Sequence, residues 1–396
     1  MRLKSLSQVK NLKGKRVLLR LDLNVPLDKR GRVAEGGDAR IRASVPVVKW
    51  LSEKGARVII VSHLGRPARR DPALSLAPIS RRLATVLGMD VRFVADALEH
   101  ESAVEMKLGK LLPGDVAMLE NIRFHKGEET NGPFLARRLA SLADVFVNDA
   151  FAVSHRAAAS VVGVTKFLPS YAGPLMEKEV AALSRVIEKP KRPLVVMLGG
   201  AKVSDKIHVI DNMTRIADTV LVGGAMANAF LKAKGLRIGL SADGPADVRL
   251  AKRMLRRSNI VLPTDVVVSA SRDGKHQARI CSVKNVGKDD YIVDIGVESV
   301  RAWAAYIKKA KTLVWNGPLG MFEIKKFSHG SIALGRMVAA RSSGRAFGVV
   351  GGGETVQCLE HTGMAEYVDH VSTGGGAMLD FLAGKALPGL LPLRKK

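Results

Sequence analysis

Short apolar runs alternate with polar or glycine-rich turns and amphipathic stretches along the whole chain. In the first half the runs fall at 17–21, 58–61, 91–94, 116–119 and 145–147; in the second half they fall at 194–198, 220–222, 266–268, 291–295, 313–315, 347–350 and 368–371. They are rich in Val, Ile and Leu and show no alternation, which predicts strands buried on both faces. Helical spacing of apolar residues follows over 44–53, 76–87, 134–142, 203–216 and 247–257. Strands alternating with helices predict βαβ units and a parallel sheet. The pattern occurs twice, so the chain reads as two α/β domains. Between them 171–188 (YAGPLMEKEVAALSRVIE) has helical spacing, a Pro near its start and Lys189-Pro190 as a stop, which predicts a bridging helix. A length of 396 residues suits two domains of about 150 residues each.

In open parallel sheets ligands bind beyond the carboxyl ends of the strands. In the first half those ends are followed by Asp22-Leu23-Asn24, by His63-Leu64-Gly65-Arg66, by Asn121-Ile122-Arg123, and by Asn148-Asp149 with Ser154-His155-Arg156; Arg40 lies in the nearby DARIRAS segment. In a basic chain a lone arginine reads first as a solvated surface residue, and a lone histidine as an ordinary strand-end residue. Their recurrence at strand ends is the signal. Arginine binds phosphate and carboxylate through its planar fork, and Asp22 and Asn24 suit a hydroxyl. The set Asp22, Asn24, Arg40, His63, Arg66, Arg123 and Arg156 fits a small molecule with phosphate, hydroxyl and carboxylate groups.

The second half has glycine-rich strand ends: Gly199-Gly200-Ala201-Lys202, Gly223-Gly224-Ala225, Asn316-Gly317-Pro318, Gly351-Gly352-Gly353-Glu354-Thr355 and Gly374-Gly375-Gly376. Glycine lets backbone N–H groups approach phosphate, and a following helix N-terminus favours the charge. Lys202 and Lys206 are spaced to share a helix face, which suits a triphosphate. Neither a Walker GxxxxGK[ST] nor a strand-linked GxGxxG is present.

Charge adds one question. Lys and Arg total 63 against 37 acids, a formal net charge of +26. The excess is spread evenly and no zinc-finger or RNA-recognition motif accompanies it. Nonspecific polyanion binding at low salt is expected, and a dedicated nucleic-acid partner is not. The basic N-terminus has no apolar core for a secretory signal, no run reaches membrane-spanning length, and the two cysteines, Cys281 and Cys358, form no metal spacing. A cytoplasmic protein with reduced thiols is the expectation.

The segments VLLRLDLNVP, ARIRASVP, VSHLGRP, MLENIRFHKGEE, VFVNDAF with SHRA, LGGAKVSDKI, VWNGPLGMFE, VVGGGETV and HVSTGGGA, in this order from about residue 16 to about residue 390, resemble the signature of the phosphoglycerate kinase family. The resemblance implies two Rossmann-like parallel-sheet domains joined by a helix and hinge. Domain 1–170 would bind 3-phosphoglycerate through the residues named above, with the tail, about 385–396, packing back on it. The helix 171–188 would bridge to a nucleotide domain, 189–384. There Gly200, Lys202, Lys206, Gly223, Gly224, Gly296, Asn316, Pro318, Glu323, Gly352, Gly353, Glu354 and Thr355 would bind MgATP or MgADP. Glu323 would hold the ribose and Glu354 would stand near Mg2+.

The reaction implied is reversible, in-line phosphoryl transfer between ATP and the carboxylate of 3-phosphoglycerate by a glycolytic monomer. Arg40, Lys202, Mg2+ and the N–H groups around Gly375 would neutralise the moving group, with Lys206 assisting. The carboxylate is already ionised, so no general base is needed. The domains would close about the bridging helix and a loop at 370–373. The chain departs from the family pattern at Glu354, usually Asp, at Ala158, usually His, and at Val297 after Gly296, usually Pro. Two alternatives differ in class: a degenerate binding protein that keeps the fold, and a kinase for another small phosphorylated acid.

Overall fold

The computed structural model describes every residue except 97, 99, 100, 201 and 396, and of residue 101 the backbone only. The chain divides into two compact units. One comprises Met1–Ala181 together with the tail from Ala386 onward; the other comprises Ala182–Lys385.

In unit 1 the strands are β1 (Arg16–Arg20), β2 (Arg57–Val61), β3 (Arg92–Val94), β4 (Val116–Leu119), β5 (Val145–Asn148) and β6 (Ser170–Ala172), and the helices α1 (Ala39–Glu53), α2 (Ala77–Leu87), α3 (Glu101–Gly109), α4 (Pro133–Ser141) and α5 (Pro174–Ile187). All six strands pair in parallel in the order β3-β4-β2-β1-β5-β6. The sheet separates two apolar cores. Val17, Leu19 and Leu21 pack on α1 and α2 through Val47, Leu51, Ile79 and Leu83. Leu18, Ile59 and Phe146 pack on α3 and α4 through Val104, Leu108, Leu135 and Leu139. Each such fully buried side chain contributes about 1.5–3 kcal/mol, so a strand apolar on both faces is stable only between two helix layers. That two-sided burial is why these runs lack alternation.

The tail belongs to this unit: Lys4 N donates to Leu393 O at 2.7 Å and Gly389 N to Ser154 O at 2.9 Å. The division between the units falls within α5. The start of the stretch read as helix from 171 is instead β6, which pairs with β5 and is followed by Gly173 and Pro174, where the helix begins. Helix α1 also begins earlier than the periodicity suggested. Pro46 lies inside it, and a proline there hides the first turn from a pattern search. Arg40 therefore sits on a helix rather than in a loop.

Unit 2 contains β7 (Leu194–Leu198), β8 (Thr219–Val222), β9 (Ile260–Val261), β10 (Asp265–Ser269), β11 (Ala278–Ser282), β12 (Tyr291–Ile295), β13 (Thr312–Asn316), β14 (Phe347–Gly351) and β15 (His370–Ser372). Its helices are α6 (Ile207–Ile216), α7 (Gly224–Ala233), α8 (Pro245–Met254), α9 (Val297–Lys309), α10 (His329–Ser342), α11 (Gly353–Glu360) and α12 (Gly376–Leu382). The parallel sheet runs β15-β14-β13-β7-β8-β9, the doubly wound order whose topological switch lies between β7 and β13. Two runs expected in this sheet are elsewhere. β10 and β12 pair with each other in a separate antiparallel sheet, where β10 is the central strand between β11 and β12. The link from Ser269 to Ala278 is too short for a parallel crossover, which takes a dozen or so residues. The stretch at 370–373, expected to be a hinge loop, is mostly edge strand β15.

Candidate active site

At the carboxyl ends of β1, β2 and β4 the loops of unit 1 are tied together by buried amides and carboxylates. Asn121, fully buried, donates from Nδ2 to Leu64 O and Leu74 O at 2.8 Å each, and its Oδ1 accepts from Arg123 N at 3.1 Å. Asn24 Oδ1 accepts from Gly65 N at 2.9 Å. Arg40 reaches back from the first turn of α1 to Asp22 Oδ2 at 2.9 Å and Asn24 O at 3.1 Å. Arg123 donates to Gly65 O, and its Nε lies 3.7 Å from Glu129 Oε1, with Arg156 Nη1 at 3.7 Å from the same oxygen.

The electrostatics follow from this crowding. Arg123 is held below the usual arginine value, first by burial and then by Arg156, with Arg20 and Arg66 adding to the effect. His63 is held well below an ordinary histidine, first by burial, then by Arg20, Arg123, Arg40 and Arg156. Those mutual influences place Arg40, His63, Arg66, Arg123 and Arg156 in one positive field, to which the sequence-based set had added only Asp22 and Asn24. A cavity of about 210 Å³ opens among Arg20, Arg123, Glu128, Glu129, Arg156 and Ala158. Arg20, Glu128 and Glu129 stand outside the set expected from the sequence, and Asn121 was placed at a strand end without a role. Arg20 hides inside an apolar strand run, and the two glutamates were read only as part of HKGEE.

In unit 2 the equivalent place is made largely of backbone. Lys206 Nζ donates to Gly199 O at 2.8 Å and Asn316 O at 3.2 Å, so one ammonium joins the ends of β7 and β13 at the switch point. Burial brings Lys206 down to about 8, against which Glu354 and Asp205 pull upward. Asn316 Nδ2 donates to Gly351 O at 2.8 Å, and Gly317 N donates to Thr355 Oγ1 at 2.7 Å, which fastens β13 to α11. Gly199 and Gly317 touch so closely that neither tolerates a side chain. A Cβ on Gly199 would stand 2.1 Å from Pro318 O, and one on Gly317 2.2 Å from Gly199 O.

A cavity of about 270 Å³ lies beside this junction. It is lined by Gly200, Gly224, Pro318, Glu323 and Glu354 from the expected set, and by Asn228, Arg272, Tyr291 and Ile292, which were not anticipated. Arg272 stacks on Tyr291 at 5.4 Å, a pairing legible only once the hairpin is folded. Buried Asp294 closes the wall. It accepts from Gly330 N at 2.7 Å and Ser331 Oγ at 2.9 Å, and burial pushes it up to about 7. The thiol of Cys358 behind it is pushed up to about 12 by burial, Asp294 and Glu323, so it stays protonated.

Gly223, Gly352 and Gly375 stand at the N-caps of α7, α11 and α12, and Gly353 is the first residue of α11. Gly296 caps α9 and lines a different cavity, of about 590 Å³, with Val267, Ile280 and Val300. Lys202 and Lys206 do not share an α-helix face. Ser204–Lys206 is a 3-10 turn and α6 starts at Ile207. The carboxylate of Asp247 takes Ser204 N at 2.6 Å, so the chain is held before the helix begins. Lys202 is left exposed while Lys206 turns inward.

Two doubly wound α/β units, one with arginines converging on its strand ends and one with a glycine-lined, lysine-bridged switch point, define a protein built to hold phosphorylated small molecules. The chain belongs to the phosphoglycerate kinase family, whose model matches residues 6–385. It is 46% identical to the phosphoglycerate kinase of Moorella thermoacetica over 393 residues, covering 97% of this chain and 98% of that protein. It is 48% identical to that of Thermomicrobium roseum over 388 residues, covering 96% and 97%. Among solved structures it is similar to phosphoglycerate kinase from Coxiella burnetii (TM-score 0.87, 39% identity, 99% of each chain covered). It is also similar to the enzyme from Pyrococcus horikoshii OT3 (TM-score 0.87, 34% identity, 99% and 98% covered). No described helix is long and apolar enough to cross a membrane.

Proposed function

We propose that this chain catalyses reversible phosphoryl transfer between ATP and the carboxylate of 3-phosphoglycerate, giving ADP and 1,3-bisphosphoglycerate, as a cytoplasmic, monomeric enzyme of glycolysis or gluconeogenesis. The observation that carries the reading is the division of labour between the units of a chain in this family. Unit 1 gathers Arg40, His63, Arg66, Arg123 and Arg156 in one field around Asp22 and Asn24. Unit 2 presents backbone and Lys206 at a doubly wound switch point.

The arginines hold the phosphate and carboxylate of the acid by paired charge-assisted bonds. The acceptor carboxylate is ionised at neutral pH, its pKa lying near about 4, so no residue needs to remove a proton. Lys206, the turns at Gly199-Gly200 and Asn316-Gly317, and the N-termini of α11 and α12 receive nucleotide phosphates, with Gly352, Gly353, Thr355 and Gly375 in the last two. Glu323 faces the ribose hydroxyls, and Gly223, Gly224 and Pro318 lie toward the base. Arg40 and the exposed Lys202 supply charge to the moving phosphoryl group.

Among the described residues no group of three His, Cys, Asp or Glu side chains assembles into a metal cage. That suits Mg2+, which is commonly held by one or two carboxylates plus substrate phosphates. Glu354, in the first turn of α11 and on the wall of the cavity that Gly200 lines, is the carboxylate placed to contribute. Held there by Glu354, Mg2+ would supply neutralisation of phosphate charge. The strong positive charge is assigned no nucleic-acid partner beyond nonspecific polyanion binding at low salt.

A coupled assay tests the reading. Purified protein with ATP, Mg2+ and 3-phosphoglycerate should consume NADH through glyceraldehyde-3-phosphate dehydrogenase, and Lys202→Ala should abolish that turnover. Folded wild-type protein that turns over no ATP with this acid overturns it.

A further inference from the structure

Arg20 occupies a position that the strand pattern reserves for an apolar side chain. It follows Leu18 on the same face of β1, and it is 1% exposed. Burying a charge in a sheet interior costs several kcal/mol unless it is paired and hydrogen-bonded. Arg20 is paired on one side. Its Nε donates to Ser160 Oγ at 2.9 Å, and Ser160 donates in turn from Oγ to Glu128 Oε1 at 2.6 Å and from N to Glu128 Oε2 at 2.9 Å. Its Nη1 donates to Leu21 O. The remaining arm, Nη2, lies 3.3 Å from Nδ1 of His63. An apolar residue packed beside Leu18 would give comparable stability at less risk, so the chain Glu128–Ser160–Arg20–His63 is explained by what it does to the histidine.

A guanidinium has five donors and no acceptor. Nδ1 of His63 must therefore accept, and a neutral imidazole that accepts at Nδ1 carries its hydrogen at Nε2. The imidazolium form would set N–H against N–H and add a charge to the field of Arg20, Arg123, Arg40 and Arg156, in a side chain that is 3% exposed. No described residue bonds Nε2.

We propose that Arg20 is a positioning residue, which locks His63 as the neutral Nε2–H tautomer so that Nε2 is a fixed donor to an anionic oxygen of the acid substrate. The ligand half of this inference rests on the function proposed above; the tautomer half does not. The design separates attraction from proton chemistry. The arginines supply charge, while His63 supplies a directional N–H that neither gains nor loses a proton as pH crosses the ordinary histidine range near about 6.5.

The test begins with long-range 1H–15N spectra of the histidine side chains in the ligand-free protein, with His63 assigned by its loss in His63→Gln. His63 should show a pyrrole-type Nε2 and a pyridine-type Nδ1, unchanged through the ordinary histidine titration. Arg20→Lys keeps the charge and loses the fork that spans Ser160 and His63, and should shift His63 toward a mixture of tautomers. Calorimetry without nucleotide then gives the dissociation constant for 3-phosphoglycerate. Asn carries its amide where Nδ1 sits and Gln carries it where Nε2 sits. His63→Asn should therefore weaken binding about tenfold, the worth of one such bond, and His63→Gln by only about threefold.

A pyrrole-type Nδ1 in the wild-type protein overturns the proposal, as does an ordinary titration of His63. Equal losses in His63→Asn and His63→Gln overturn the donor role. The wild-type spectrum and the His63 pair decide the question even if Arg20→Lys fails to fold. If 3-phosphoglycerate does not bind the wild-type protein at all, the function proposed above and the donor role fall together, while the spectra still decide the tautomer.

Discussion

The polar atoms that converge on the strand ends of unit 1 belong to side chains, whereas those that converge in unit 2 belong mostly to the backbone. Arg40, His63 and Arg123 reach their places from three separate segments, the first turn of α1 and the stretches that follow β2 and β4, and each is steered by a neighbour: Asp22, Arg20 and Gly65 O respectively. In unit 2 the turns at Gly199 and Gly317 lie against one another with no room for a Cβ, and a single lysine bridges Gly199 O and Asn316 O. The two designs suit different ligands. A small acid with groups pointing in several directions is matched by several independently aimed side chains. A chain of phosphates is matched by a row of N–H groups at helix starts. They should also fail differently, one by losing charge and the other by gaining bulk.

Gly317→Ala should show the largest effect. Its φ of +98° disfavours any side chain, and the added methyl would meet Gly199 O at 2.2 Å and Lys206 Nζ at 2.5 Å. Denaturant unfolding should show a loss of about 3 kcal/mol or more, and nucleotide affinity should fall at least about a hundredfold, while binding of 3-phosphoglycerate is unchanged. A normal nucleotide dissociation constant in this variant would break the comparison, because the backbone would then not be the recognition element.

Arg123→Ala should give the mirror result at somewhat smaller cost. Losing about two charge-assisted bonds at about 1.4 kcal/mol each weakens 3-phosphoglycerate about a hundredfold, with nucleotide binding and overall stability near wild type. Arg123→Lys should recover little, since a point charge cannot serve Gly65 O and a ligand oxygen together. Calorimetry with each ligand separately checks both statements.

The mildest and most diagnostic effect concerns Lys206, whose pKa is about 8 when folded against an ordinary 10.5. Between these values the unfolded chain binds more protons than the folded one, so ligand-free stability should rise with pH across the window. Nucleotide affinity should fall across the same window, by up to about tenfold per pH unit as the cation is lost. Opposite slopes for stability and affinity sharpen the comparison; parallel slopes would remove Lys206 from the phosphate site.

Much of this was legible in the sequence. Strand runs buried on both faces announce themselves by lacking alternation, and five of the six strands of unit 1 and most of those in unit 2 were found that way. Motif order identified the family signature, and the site arginines stand where strands end. What was hidden shares a physical cause. β6, β9 and β11 are short or exposed, so they leave little hydrophobic signal. Arg20 sits inside a strand whose pattern gives no hint that one position points at a histidine 43 residues away. The pairing of β10 with β12 passes over the intervening β11, which takes the other edge of β10.

Local composition therefore determined the α/β class, the two-unit organisation and the residue types that stand at the strand ends of each unit, because burial and turn chemistry are written in neighbouring residues. The tertiary structure alone decided which side chains steer which. It drew Lys206 inward while leaving Lys202 exposed, sent Gly296 to a separate cavity, and placed a buried guanidinium against Nδ1 of His63. Those outcomes depend on distances between residues far apart in the chain, and no periodicity along the chain encodes them.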